Sequence, residues 1–130
     1  MKILHLTLKK KWFELIKSGV KKEEYREIKP YWIVRLFDFI EPMEGYVFQE
    51  MFDDLIDPFD NHTGLKDLMD YFKVRFKDFT HVKFKNGYKK DAPSFIINIK
   101  NIRIAKGKKE LGAEENKYYF VIYLGDEIKI

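Results

Sequence analysis

The sequence predicts an α+β fold: a small mixed β-barrel or curved sheet, with one early helix packed on it and a helical acidic insert. Three observations predict it. Strand-like apolar stretches stand near both ends of the chain, with helical spacing between the first two of them. The element order is β-α-β-α, an insert, then three or more strands, and few parallel crossovers fit that order, which argues against a doubly wound sheet. Charge is segregated: residues 41–70 hold nine acids against the single base Lys66, while the rest of the chain holds 24 bases and 12 acids.

Ile3 to Leu8 is β-branched, apolar and partly alternating, which reads as a first strand. From Lys9 to Ser18 the period changes: Trp12, Phe13, Leu15 and Ile16 form an apolar stripe at helical spacing, leaving Lys9, Lys10, Glu14 and Lys17 to solvent. Gly19 follows as a left-handed helix C-cap. Lys21 to Ile28 reads as a polar strand, with Glu23, Tyr25 and Glu27 on one face and Lys22, Glu24, Arg26 and Ile28 on the other. Pro30 suits the first turn of a second helix, Tyr31 to about Ile40, with Trp32, Leu36 and Phe39 or Ile40 inward.

The acidic insert reads as two helical pieces, 43–56 and 64–74, broken by Asp57-Pro58 and Asn61-His62-Thr63-Gly64. Residues 80–85, 94–104 and 118–124 are strand-like and separated by Asn86-Gly87, Ala105-Lys106-Gly107 and Gly112. The run "SFIINIKNIRI" is long enough for a strand that bends around a corner. The 130 residues fit one domain, residues 1–130, with the insert at about 41–80.

The chain has no cysteine, which excludes disulfides, thiolate zinc sites and cysteine nucleophiles. No His-x-x-x-His or carboxylate–histidine cluster is present, so no metal is expected, and no motif calls for a cofactor. The opening residues have too short an apolar run for a signal peptide, and no run reaches ~18 residues, so a cytoplasmic protein with no membrane partner is the expectation. A net charge of +4 on a lysine-rich body suggests phosphate-bearing partners, and the 12 Phe, 8 Tyr and 2 Trp suit either tight cores or base stacking.

The most specific stretch is "WFELIKSGVKKEEYR", a helix ending in Gly-x-Lys followed by a strand carrying Glu-x-Arg, here Gly19, Lys21, Glu24 and Arg26. It resembles the ASCH family, a branch of the PUA-like β-barrels, over residues 3–29. "LGAEENKYYFVIYLGDEI" is similar to the family's closing segment within 94–128, with Leu111 where a Trp is usual. The resemblance implies a cleft between the early helix and the barrel, suited to RNA or a nucleotide. Some ASCH proteins are similar to amidohydrolases acting on N-acetylated cytidine, with a catalytic Lys after the helix-ending glycine, a Thr three residues later and a later Glu. Lys21 stands at the Lys position and Glu24 at the Thr position; the later Glu would be Glu110, Glu114 or Glu115.

The ligand-binding candidates are Lys9, Trp12, Lys21, Glu24, Arg26 and Lys29. Arg26 offers a planar fork for phosphate or a base edge, and Glu24 can accept from an exocyclic amine. Lys21, beside Gly19, can hold phosphate or serve as a base. Lys9 sits at the helix end that disfavours cations, Trp12 can pack or stack, and Lys29 can add to a second cleft wall. Glu24 and Arg26 are expected to point into one open concavity with Lys21 at its rim. Three functions follow: an RNA- or nucleotide-binding module; a small hydrolase acting on an N-acylated cytidine-type nucleoside or on RNA, with Lys21 and Glu24 catalytic; or a protein-interaction module using residues 41–70. None of these fixes the oligomeric state.

Overall fold

In the computed structural model the described residues are 1–39 and 73–129, with Val47, Glu50 and Asp70 described singly, each in helical conformation. The two helical pieces expected in the insert, and its proposed partner-binding face, otherwise lie outside the described residues. The elements are β1 (Ile3–Leu8), α1 (Lys10–Lys17), β2 (Glu23–Glu27), α2 (Pro30–Leu36), β3 (Phe37–Phe39), β4 (Val74–Phe76), β5 (His81–Asn86), β6 (Ser94–Lys106), a 3-10 turn (Lys109–Leu111) and β7 (Tyr118–Ile128). The architecture is mixed α+β, as the sequence predicts. All five expected strands form and join one sheet in the order β1-β5-β6-β7-β2, while β3 and β4 make a separate pair. The β1–β5 pair is parallel and the β5–β6 pair antiparallel.

The chain divides into two compact units: Met1–Tyr25, Asp78–Arg103 and Val121–Ile130 form the first, Arg26–Lys77 and Ile104–Phe120 the second. In the first, register aligns the buried side chains. Leu4 stands opposite Val82 and Leu6 opposite Phe84, while Val82 and Phe84 in turn face Ile97 and Phe95. A slip of one residue would turn this whole set to solvent, so the alternation in the sequence specifies the pairing. Burying Val82 and Phe84 completely contributes roughly 1.5–3 kcal/mol each.

Helix α1 buries Phe13 and Ile16, with the Phe13 ring edge-on to Phe95 at 5.0 Å between centroids. It ends where glycine allows. Gly19 has φ +85°, its amide donates to the Ile16 carbonyl at 3.0 Å, and the Lys21 amide donates to Leu15 at 2.9 Å, satisfying carbonyls the helix leaves open. In β6 the buried positions change parity, from Phe95 and Ile97 to Ile102 and Ile104. Between them Asn101 Oδ1 accepts from the Ile102 amide at 2.9 Å, and the reversal of faces falls within residues 98–101.

In the second unit Pro30 opens α2, and Ile33 and Leu36 are fully buried. The helix stops at Leu36, short of the expected Ile40. Phe37-Asp38-Phe39 is instead extended and pairs antiparallel with Val74-Arg75-Phe76. Cross-strand aromatic packing accounts for the difference: Phe37 lies 4.9 Å from Phe76 and 5.3 Å from Phe120, and the Lys77 amide caps the Leu36 carbonyl at 2.8 Å. The Val74–Phe76 strand stands where a helix was expected to end. No described helix is long and apolar enough to cross a membrane.

Candidate functional site

The Gly19 turn delivers Lys21 inward. Its side chain is 2% exposed and its ammonium lies 3.1 Å from Glu24 Oε1, itself on a buried side chain. The Trp12 ring centroid is 4.2 Å from the Lys21 nitrogen and that of Tyr25 5.3 Å. Glu24 Oε1 also accepts from the Tyr25 amide at 3.0 Å, while the Tyr25 hydroxyl donates to Glu23 Oε2 at 2.7 Å. A desolvated ammonium is thus enclosed by a carboxylate and two aromatic faces, each of which favours its charge. The three-residue spacing works because Gly19 turns the chain before the strand starts, so Lys21 folds back on α1 while Glu24 is already in β2.

Lys21 also lines a cleft of about 290 Å³ within the first unit, with Lys17, Gly19, Lys22, Ile97, Lys100 and Gly125 among its walls. Asp126 and Glu127 complete the rim, and Lys17 forms an ion pair with Glu127. Four lysines therefore stand against two carboxylates. Of the four, Lys21 is compensated by Glu24 and Lys17 by Glu127, which leaves Lys22 and Lys100, both exposed, as the cations with most to offer an anion. A Cβ added at Gly125 would lie 2.7 Å from Asn98 Oδ1, so any other residue there requires the Asn98 side chain to move.

The six sequence candidates are divided between the two units. Trp12, Lys21 and Glu24 come together in the first unit. The expected geometry is corrected, since Lys21 and Glu24 are buried as a pair rather than open to a concavity, because two desolvated charges are tolerable only in contact. Arg26 belongs to the second unit, where its guanidinium lies 5.1 Å from the Trp32 ring centroid. Lys29, exposed, is the N-cap residue of α2 and lies 3.9 Å from Glu27. Lys9 is exposed at the N-terminus of α1.

The sequence reading passed over Lys22, Lys100 and Gly125. Lys22 was in plain view beside Lys21; nothing local marks Lys100, which reaches the cleft through the sheet pairing of β6. Among the described residues no three His, Asp or Glu side chains gather as a metal site. No protein-family model, no curated protein and no solved structure matches the chain.

Proposed function

We propose that this is an RNA- or nucleotide-binding domain of the ASCH, PUA-like kind, taking a phosphate-bearing group in the cleft beside Gly19. The observation that carries the reading is the lysine-lined cleft built on the helix-Gly-x-Lys turn, with Lys22 and Lys100 exposed on its walls. At about 290 Å³ it sits at the low end of ligand clefts, which run ~300–1,000 Å³, so it suits a phosphate or one nucleotide moiety. Binding of a ribonucleoside monophosphate and of single-stranded RNA, followed by titration at two salt concentrations, tests it. Affinity should fall as salt rises, and Lys22→Ala combined with Lys100→Ala should weaken both ligands. Affinity unchanged in that pair of substitutions would remove the cleft from the reading.

The Lys21–Glu24 contact favours a second reading, a hydrolase of N-acylated cytidine-type nucleosides or of RNA in which this pair moves protons. Lys21 is among the residues that line the cleft, and its buried ammonium has a carboxylate at hydrogen-bond distance. Release of acyl groups, or of RNA fragments, from wild-type protein would establish turnover; intact substrate after prolonged incubation leaves binding alone.

A further inference from the structure

We infer that the outer face of β1, β5 and β6, together with the β5–β6 hairpin tip, is a docking surface for single-stranded nucleic acid that extends beyond the cleft. The cleft holds about one nucleotide, so a longer chain needs a second surface. Register supplies it. The residues that alternate with the buried ones stand in rows across the three strands: His5 beside Lys83 beside Ile96, and Thr7 beside Lys85 beside Ser94. None of these six is buried. Along β6 the same face continues from Ser94 through Ile96 to Asn98.

The hairpin adds an aromatic. Tyr88 is 90% exposed on the loop that joins β5 to β6. The loop is closed by the Asn86 amide on the Pro93 carbonyl at 2.9 Å and the Ala92 amide on the Lys89 carbonyl at 3.0 Å, and Gly87 turns it with φ +96°. Lys89 and Lys90 follow Tyr88 directly and are exposed, and Lys83 and Lys85 lead into the turn on the outer face. Among the described residues none of these four lysines forms a salt bridge. An exposed ring between uncompensated cations is the pairing single strands require: every base has a face to stack and every nucleotide a phosphate to neutralise. Folded double helix offers no free base face, and an acidic peptide has no use for the ring.

The occupant's chemistry rests on the nucleic-acid reading of the cleft, but the surface uses other residues, so the two can be tested apart. Fluorescence-anisotropy titration would compare a 12-nucleotide single-stranded RNA with a ribonucleoside monophosphate. Tyr88→Ala should weaken the oligonucleotide by about 5- to 100-fold, Tyr88→Phe by less than about 2-fold, and neither should change the mononucleotide. Lys89→Ala with Lys90→Ala should weaken the oligonucleotide and flatten its salt dependence by about two ionic contacts. Oligonucleotide affinity untouched by Tyr88→Ala overturns the surface while leaving the cleft reading intact. Equal binding of poly-glutamate, also untouched by Tyr88→Ala, overturns it in favour of general polyanion attraction. No binding of either RNA ligand by the wild type overturns both readings.

Discussion

Two charged stretches of the first unit, residues 21–25 and 83–90, have opposite environments. In the first, Lys21 and Glu24 are withdrawn from water into contact at 3.1 Å, under the Trp12 ring. In the second, Lys89 and Lys90 are exposed, Lys83 and Lys85 half-buried, and Tyr88 stands out beside them. The difference lies in what encloses each stretch. Lys21 emerges from a glycine turn that directs it back onto α1; the hairpin lysines stand half-buried on a sheet face, at Lys83 and Lys85, or exposed on a loop, at Lys89 and Lys90. Desolvating an ion is costly unless a counter-charge is in contact, so the first stretch uses its charges on each other. The second leaves its charges in solvent.

The largest effect should come from splitting the buried pair. Lys21→Ala leaves Glu24 buried without the Lys21 counter-ion, and loss of one member of such a pair costs ~3–5 kcal/mol. Replacing both residues with apolar ones, Lys21→Met with Glu24→Leu, should recover part of that loss, because neither position then carries a charge to desolvate. Urea unfolding of the three variants reads the comparison directly. A loss below ~1 kcal/mol in Lys21→Ala would place Lys21 with the solvated lysines, where exposed ion pairs are worth that much or less.

Much of the frame was legible in residue order, and the reason is local periodicity. Ile3–Leu8, Lys10–Lys17 and Ser94–Lys106 each carry a pattern that only one element type buries well. Phe37–Phe39 was not legible, since its extended form depends on pairing with residues 74–76, far along the chain. The site divides the same way. Gly19, Lys21 and Glu24 are neighbours in sequence, so their association could be read, but not that it would be buried. Parity placed Glu24 on the face of Lys22 and Arg26, both of which keep more solvent; only the fold back of Lys21 onto α1 shows why Glu24 does not.

A smaller effect sharpens the first half of the comparison by asking what directs Lys21 inward. Gly19 has φ +85° and nothing within 4 Å of where a Cβ would stand, so its requirement is conformational and not steric crowding. Gly19→Ala should cost ~1–2 kcal/mol, the penalty of the left-handed region for an L-residue. Gly19→Asn should cost less, because asparagine tolerates that region. Equal thermal stability of wild type and Gly19→Ala would show that the turn can be remade without glycine, and that the burial of Lys21 does not depend on it.

The smallest effect is expected in the second stretch, where stability should be indifferent to charge. Removing Lys89 or Lys90 takes away no salt bridge found among the described residues and opens no cavity, since both side chains are in water. Substitutions away from packing, caps and buried pairs are usually within ±0.5 kcal/mol. Lys89→Ala and Lys90→Ala should therefore unfold at the same urea concentration as the wild type, within that margin, and a change in ligand affinity in either could not be ascribed to loss of fold. Relief of mutual repulsion among Lys83, Lys85, Lys89 and Lys90 even allows a slight gain at low salt that fades as ionic strength rises. Destabilisation beyond ~1 kcal/mol would mean that these lysines, like Lys21, hold the fold together, because exposed groups away from packing seldom cost that much. The contrast between the two stretches would then be lost.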